Sequence, residues 1–386
     1  MTWDTIIVGA GPAGATAAVY LARAGHKVLL IDKENFPRHK ICGDGLITDS
    51  LRCLNKIGVL EEVENKGKVV NILSYYSPSQ IRVDTESKMV VIKRFHLDEI
   101  IVKEAIKSGV NFAVEKVVDI NQDENYVYVY TKNSVFKSKT CILATGANIT
   151  IGKKLGIISN PKPNAVAIRC YVKSPIVLER LVFSYDKKIA PGYGWVFPLP
   201  DGEFNVGCGV LQDKILTDNL NLHQVFDRFV SVFPLAKEII DKASEKSKLV
   251  GAPLRCGFVG TNTFRLGKIL SVGESIGTTF LFTGEGIGKA MESAEVASSV
   301  IDKFLKTENQ DVFYEFKDFI KNTLNPKYDS YRKAEKWLTK LWLNDFLARR
   351  AQTSKYIQKC LVDLLEERKT PTDFISLKEL LKYFIN

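Results

Sequence analysis

Three glycines, Gly9, Gly11 and Gly14, sit between an apolar run, Asp4-Thr-Ile-Ile-Val8, and an alanine-rich stretch from Ala15 to Ala24. A second apolar run, Lys27-Val-Leu-Leu-Ile31, closes on Asp32. Residues of these types in this order can hold a pyrophosphate and a ribose. Gly9 makes the tight turn, Gly11 lets backbone N–H groups approach phosphate oxygens, and Gly14 lets the helix pack close to the sheet. The positive helix end then faces the phosphates, and the acid ending the second strand accepts from a ribose 2′-hydroxyl. An acid there favours an adenosine ribose without a 2′-phosphate, so FAD or NAD rather than NADP.

A second constellation lies far downstream. Ser271-Val-Gly273-Glu274-Ser-Ile-Gly277 ends a strand in glycine and acid, and Phe282-Thr-Gly284-Glu285-Gly286-Ile287-Gly288 opens a helix through Ala290 and Ala294. A carboxylate at a strand end can hold a polyol hydroxyl, and a glycine-rich helix start offers N–H donors to a polar ring edge. Two such units, the first fitted to adenosine, point to one long dinucleotide such as FAD. The seven cysteines are odd in number, scattered and without a CxxC pair, which reads as reduced thiols with neither a disulfide framework nor structural zinc. The four histidines lie far apart, so no catalytic triad and no metal site is expected.

The elements that must position these residues follow from periodicity. With 386 residues the chain has room for two or three domains. After the first unit the pattern predicts a helix near Ser50 to Leu60, alternating strands between Val69 and Ile92, and an amphipathic helix from Leu97 to Ser108. Strands are predicted at Phe112 to Ile120, Tyr126 to Thr131 and Thr140 to Ala144, then at Val166 to Val172 and Glu203 to Leu211. A helix covers Leu222 to Phe233, and the continuous apolar run Lys268 to Val272 reads as a buried parallel strand. From about Ala290 the pattern is helical. The fold class is α/β: a Rossmann-type nucleotide domain (1–70, 93–160 and 251–305) interleaved with a β-sheet substrate domain (71–92 and 161–250), plus a C-terminal helical region (306–386).

Four segments resemble flavoprotein reductases of the geranylgeranyl reductase family, within the larger p-hydroxybenzoate hydroxylase-like superfamily. They are the glycine turn with Asp32, the loop Pro37-Arg38-His-Lys40-Ile-Cys42-Gly43-Asp44-Gly45-Leu46, the run Tyr193-Gly-Trp195-Val-Phe197-Pro198 with Gly207-Cys-Gly209, and Gly273-Glu274 through Gly286-Ile287. The resemblance covers residues 1 to about 300. It implies that Gly9, Gly11, Ala13, Gly14, Asp32, Arg94, Glu274, Gly286 and Ile287 contact FAD, with backbone of Val118 at the adenine. It places Cys42, Gly43 and Gly45 near the isoalloxazine, Cys42 being the one candidate catalytic residue. Tyr193, Trp195 and Phe197 would line a tunnel that orients a prenyl chain over the flavin. Two positions depart from the superfamily pattern. Ala144-Thr145-Gly146 replaces the usual Ala-Asp-Gly, which leaves NAD(P)H and a reduced protein both open as electron donor, and Glu274 stands where aspartate is usual.

The activity implied is saturation of C=C bonds in an isoprenoid lipid by reduced flavin. A monooxygenase or halogenase of the same fold is the alternative, and a non-catalytic, flavin-holding, membrane-associated protein a second. A net charge of +10 suits anionic membrane surfaces, and without a nucleic-acid motif or basic arm no nucleic-acid partner is expected. Lys327 to Lys359 mixes Trp337, Leu338, Leu341, Trp342 and Phe346 with Arg332, Lys333, Lys336, Lys340, Arg349 and Arg350. Such a helix fits a membrane interface or packs on its own domain with a solvated basic face. No signal peptide or membrane span is read, so a cytoplasmic chain, peripheral on the membrane, is expected.

Overall fold

The computed structural model describes residues 1–159, 162–190, 192–211, 221–280, 283–338, 340–374 and 376. The first of its two sheets is built on β1 (Thr2–Val8), which pairs in parallel with β2 (Val28–Asp32) on one side and with β9 (Val135–Leu143) on the other. β6 (Asn111–Val114) extends it beyond β2, and β17 (Ile269–Ser271) extends it beyond β9, again in parallel. These strands read as unbroken apolar runs because a parallel sheet is covered on both faces. Helices α1 (Pro12–Arg23) and α7 (Ile287–Thr307) pack together over it, their buried faces rich in alanine, glycine and serine beside Val19, Leu21, Met291 and Ile301. Ser298 Oγ bonds back to the Ala294 carbonyl, so the small residues bring the helices close without an unpaired hydroxyl.

The second sheet runs β14 (Glu245–Lys246), β10 (Ala165–Lys173), β13 (Glu203–Leu211), β12 (Tyr193–Pro198), β11 (Leu181–Ser184), β4 (Lys68–Tyr76), β5 (Arg82–Val91), β3 (Gly45–Leu46). β15 (Val250–Leu254) also pairs with β10, and only the β11–β4 pairing in this sheet is parallel. Along β12 the side chains alternate faces, as the pleat requires. Val196 joins a core with Phe226, Phe229 and Phe233 of helices α5 (Leu222–Val232) and α6 (Pro234–Asp241) and the turn between them, whereas Tyr193, Trp195 and Phe197 look toward the first sheet's loops.

Several boundaries differ from the sequence expectation, among them the strand expected from Thr140, which begins at Val135, and residues 251–254, expected in the nucleotide domain, which pair in the second sheet. The helix expected to end near Leu60 stops at Lys56, because Gly58 takes φ +80°, and a second helix starts at Leu60. The strand expected over Phe112 to Ile120 divides into β6 and β7 (Val117–Gln122), the second pairing antiparallel with β8 (Val127–Thr131). The helix expected from Leu97 begins at Arg94, giving α4 (Arg94–Lys107) and drawing Arg94 into the interior. Residues 68–70, expected in the nucleotide domain, are strand residues of the second sheet.

The C-terminal region is helical over its described residues: α8 (Asn325–Leu338), α9 (Leu341–Thr353), α10 (Lys355–Leu365) and α11 (Pro371–Phe374). Ala334, Leu343, Leu347 and Ile357 share a core with Val83 of β5, so this region packs on the second sheet. Leu341 and Trp342 remain 37% and 66% exposed. The side chains of Trp337 and Leu338 and all of Phe282 lie outside the described residues.

Candidate active site

The β1–α1 turn has no room for a side chain on its inner side. Gly9, at φ +104°, lies against the Ala144 carbonyl, and a Cβ on Gly14 would overlap the Gly9 carbonyl. Gly11 differs: the nearest atoms to a Cβ there are the guanidinium nitrogens of Arg38 and Arg94, at 3.8 and 4.0 Å. Asp32, at the end of β2, accepts from Ala10 N at 2.7 Å and from Glu34 N at 3.1 Å. It therefore fixes the glycine turn as well as presenting a carboxylate beside it. The β6–β7 connection is tied to the same strand end, Glu115 N donating to the Asp32 carbonyl at 2.8 Å. Val118 follows shortly after, at a bulge that takes it out of the β7–β8 ladder. Its carbonyl accepts from Lys154 Nζ at 3.0 Å.

Arg94 bonds both carboxylate oxygens of the fully buried Asp98, at 2.6 and 2.8 Å, and Arg38 reaches the same carboxylate at 3.3 Å. Two guanidiniums share one acid, which leaves positive charge in surplus beside Gly11, where a pyrophosphate would need it. The sequence showed Arg38 within a motif, but its role depends on Asp98 and so went unread.

The two glycine-rich units meet at one point. A Cβ on Gly273 (φ +66°) would stand 3.0 Å from Ala13 Cβ at the start of α1 and 3.2 Å from Ala290 Cβ at the start of α7. Next to this contact Glu274 has a buried Oε1 with no hydrogen-bond partner among the described residues. Burial raises its carboxyl above the usual range, against the opposing fields of Lys40, Arg94 and Arg255. An orphaned buried acceptor costs stability unless something donates to it. A ribitol hydroxyl supplies that donor, so these residues fit FAD. Gly286 caps α7, where a Cβ would meet Thr279 Oγ1 at 2.6 Å, and Ile287 is the first helical residue.

The Cys42–Gly45 loop is held by a buried polar network. Asp44, fully buried at φ 67°, accepts from the Tyr171 hydroxyl at 2.7 Å and from Asn205 Nδ2 at 2.8 Å. Asn205 Nδ2 also donates to the Cys42 carbonyl at 2.9 Å, and its Oδ1 accepts from Trp195 Nε1 at 2.9 Å. Burial, reinforced by the Asp44 charge, pushes the Cys42 thiol up. Cys42 is therefore a neutral thiol rather than the thiolate that nucleophilic chemistry requires.

The aromatic motif packs on this loop. Trp195 and Phe197 are only 5% and 6% exposed. Their rings lie against the backbone of Gly43 and Gly45. In the β12–β13 ladder Tyr193 stands opposite Gly209, and Trp195 opposite Gly207, where a Cβ would overlap the indole. Gly207 is the space that the indole occupies, whereas a Cβ on Gly209 would only touch the Tyr193 ring at 3.7 Å. Tyr193 is half-buried, donates to the Thr283 carbonyl at 2.9 Å and stacks on Tyr185, which continues to Tyr75.

Beyond this aromatic strip lies a cavity of about 90 Å³ lined by Ile47, Thr283, Glu285, Tyr331, Ala334, Leu364, Leu365, Glu367 and Pro371. One side comes from the glycine-rich segment before α7, the other from the C-terminal helices. Beneath it Lys289 is fully buried and pairs with Glu367 at 2.5 Å, Glu292 at 2.9 Å and Asp49 at 3.2 Å. The glycines flanking Glu285 are the one local signal that marks this group.

Residues 2–157 match the FAD binding domain family. The chain is 28% identical over 323 residues to a menaquinone reductase of Mycolicibacterium smegmatis, covering 77% of this chain and 76% of that one. It is also 28% identical over 323 residues to a digeranylgeranylglycerophospholipid reductase of Methanocaldococcus jannaschii, covering 79% and 78%. Two solved structures share the fold along its length. A geranylgeranyl bacteriochlorophyll reductase-like protein from Thermoplasma acidophilum has a TM-score of 0.77 at 23% identity, covering 100% of this chain and 96% of its own. A flavin-dependent brominase has a TM-score of 0.80 at 18% identity, covering 99% of both chains.

Two outcomes follow from the geometry. Asp32→Ala is expected to weaken FAD binding by about 1.5–3 kcal/mol, through loss of a charged acceptor and of the anchor on Ala10. Fluorescence titration of the apoprotein with FAD measures it, and an unchanged affinity removes Asp32 from the cofactor site. Trp195→Ala is expected to cost about 3–5 kcal/mol in denaturant unfolding, because it opens a cavity and strands Asn205 Oδ1. Unfolding that matches the parent protein would overturn this packing role.

Proposed function

We propose that this chain, an FAD-dependent oxidoreductase of the geranylgeranyl-reductase-like kind, saturates C=C bonds in the prenyl chain of a lipid. The observation that carries the reading is the aromatic and aliphatic surface close to the flavin-fitting residues. Tyr193, Tyr185 and Tyr75 form an aromatic strip, and Tyr193 donates to Thr283, which lines a cavity with Ile47, Ala334, Leu364 and Leu365 as well as Glu285 and Glu367. Flat apolar walls with few donors suit a polyene, which has no polar group to be recognised along its length. The similarity to a digeranylgeranylglycerophospholipid reductase and a menaquinone reductase supports the same substrate class.

In this reading Gly11, Arg38 and Arg94 hold the pyrophosphate, Asp32 the adenosine ribose with Val118 at the adenine, and Glu274 the ribitol. Gly286 and Ile287 offer the positive end of α7 to the ring edge. Bound reduced FAD supplies a hydride from N5 to one alkene carbon. The chain's own residues bind, align and keep water out. Asp44, Asn205 and Tyr171 hold the Cys42–Gly45 backbone at the ring, and Trp195 and Phe197 back it with apolar surface. The electrons come from NAD(P)H or from a reduced protein.

A lipid substrate also gives the exposed tip of α9 a use. No helix among the described residues is long and apolar enough to cross a membrane. Leu341 and Trp342 are exposed instead, in a stretch of chain that also carries the exposed Lys333, Lys336, Lys340 and Arg349. Exposed apolar side chains in a basic stretch suit peripheral contact with an anionic bilayer.

The decisive measurement is anaerobic. Protein photoreduced with its flavin and mixed with a geranylgeranyl lipid is expected to give a product heavier by two hydrogens per saturated bond, as the flavin turns yellow again. A flavin that stays reduced until air is admitted would mean oxygenase or halogenase chemistry on this fold. Cosedimentation with phosphatidylglycerol vesicles tests the membrane contact: Trp342→Ser should lower binding several-fold, and equal binding would place the contact elsewhere.

A further inference from the structure

Saturating an isolated alkene requires a proton as well as a hydride, and no histidine is among the residues lining the cavity. Two carboxylates do line it, and their surroundings differ. Glu367 is ringed by cations: Lys289 at 2.5 Å, Lys327 at 3.4 Å and Arg52 at 3.8 Å. Those partners hold its carboxyl below the usual range. Glu285 lies between Gly284 and Gly286, next to the start of α7, and borders the same cavity. The nearby Lys289 ammonium is already shared by Asp49, Glu292 and Glu367. Glu285 thus sits in apolar surroundings within a field dominated by other carboxylates. Two acids in one cavity with their affinities for protons driven apart is the arrangement that assigns one of them the acid role.

We propose that Glu285 is the proton donor: its carboxyl, facing the cavity, gives its proton to the alkene carbon that the hydride does not reach. The proposal rests on the prenyl-reduction reading. The π bond breaks and two C–H bonds form, one from the hydride with both electrons of the reduced flavin, which is left oxidised. The other forms from the Glu285 Oε–H, leaving a carboxylate that takes a proton back from water before the next turnover. The charged groups that act on Glu285 are Asp49 from the helix Thr48–Lys56, Lys289 from α7, and Glu367 from the turn after α10. Tyr185 and Tyr193 of the second sheet and Tyr331 of α8 complete them, with Thr283 hydrogen-bonding the carboxyl. Burial, with Asp49 and Glu367 adding to it, pushes the Glu285 carboxyl up to about 8. It therefore carries its proton at neutral pH, as a donor must.

Glu285→Gln tests this with two readouts. The first uses apoprotein and no substrate. The folded carboxyl binds its proton more tightly than the unfolded one, whose value is 4.5, so its contribution to stability is complete below about pH 4.5 and lost as pH rises through about 8. The Tm of the parent protein should fall relative to E285Q across that window; parallel profiles would overturn the protonated carboxyl. The second is single-turnover reoxidation of reduced flavin by geranylgeranyl lipid. The parent rate should decline above about pH 8, as expected for loss of an essential acid. E285Q should be at least tenfold slower at every pH with flavin retained, and Glu285→Asp should restore part of the rate. An E285Q variant that forms product as fast as the parent removes Glu285 as donor while leaving prenyl reduction standing. A parent protein that forms no product overturns prenyl reduction itself and the delivery step with it, and the Tm profiles still decide whether the carboxyl holds its proton.

Discussion

At three glycines chain segments approach with at most an alanine methyl between them, and the rest is arranged around those contacts. Gly9 lies on the Ala144 carbonyl, Gly14 lies on Gly9, and Gly273 touches both Ala13 and Ala290. Each glycine removes a Cβ that would otherwise separate the β1–α1 turn from β9 or from the β17–α7 turn. The approach brings two helix starts to one place and aligns two positive helix ends there. Buried polar groups such as Glu274 Oε1 are tolerated because a ligand fitted to the same gap can satisfy them. Substituting any of these glycines would separate the two halves of the binding site at once.

The second sheet is oriented by a different force. Trp195 and Phe197 press on the Gly43–Gly45 backbone, which alone would allow the loop to slide. The Asp44–Asn205–Tyr171 hydrogen bonds remove that freedom, since each donor and acceptor is buried and has a fixed partner. A network of this kind is costly when partly satisfied and specific when complete. It explains why a carboxylate occupies a left-handed position between two glycines, where aspartate is among the better tolerated residues. It also makes the aromatic motif a device for holding the loop in place.

The C-terminal helices finish the site rather than decorate it. Leu364, Leu365, Glu367 and Pro371 close the cavity that Glu285 borders. Glu367 also supplies one of the carboxylates around the buried Lys289. That ammonium would be expensive to bury alone, so the tail and the nucleotide layer stabilise each other through it. The same arrangement keeps Lys289 occupied and leaves Glu285 without a cation of its own.

Much of this was legible in the residues. The GxGxxG turn with Asp32, the apolar strands of the parallel sheet and the second glycine-rich turn after β17 are local patterns, set by the backbone angles and periodicity that adjacent residues dictate. Sequence could also mark Tyr193, Trp195 and Gly207 as a recurring group, but not that glycine opposes ring across a ladder. Arg38 with Arg94 on Asp98, Asn205 on Asp44, and Glu367 near Glu285 are contacts between residues far apart in the chain. Their chemistry comes from burial and from the charge of neighbours, quantities that exist only once the chain has folded. The sequence by itself determined a dinucleotide-binding α/β layer, because glycine spacing and strand pattern are short-range constraints. The tertiary structure alone decided which acid borders a buried cavity with no direct ion pair among the described residues, because the local field is a sum over every element packed around it.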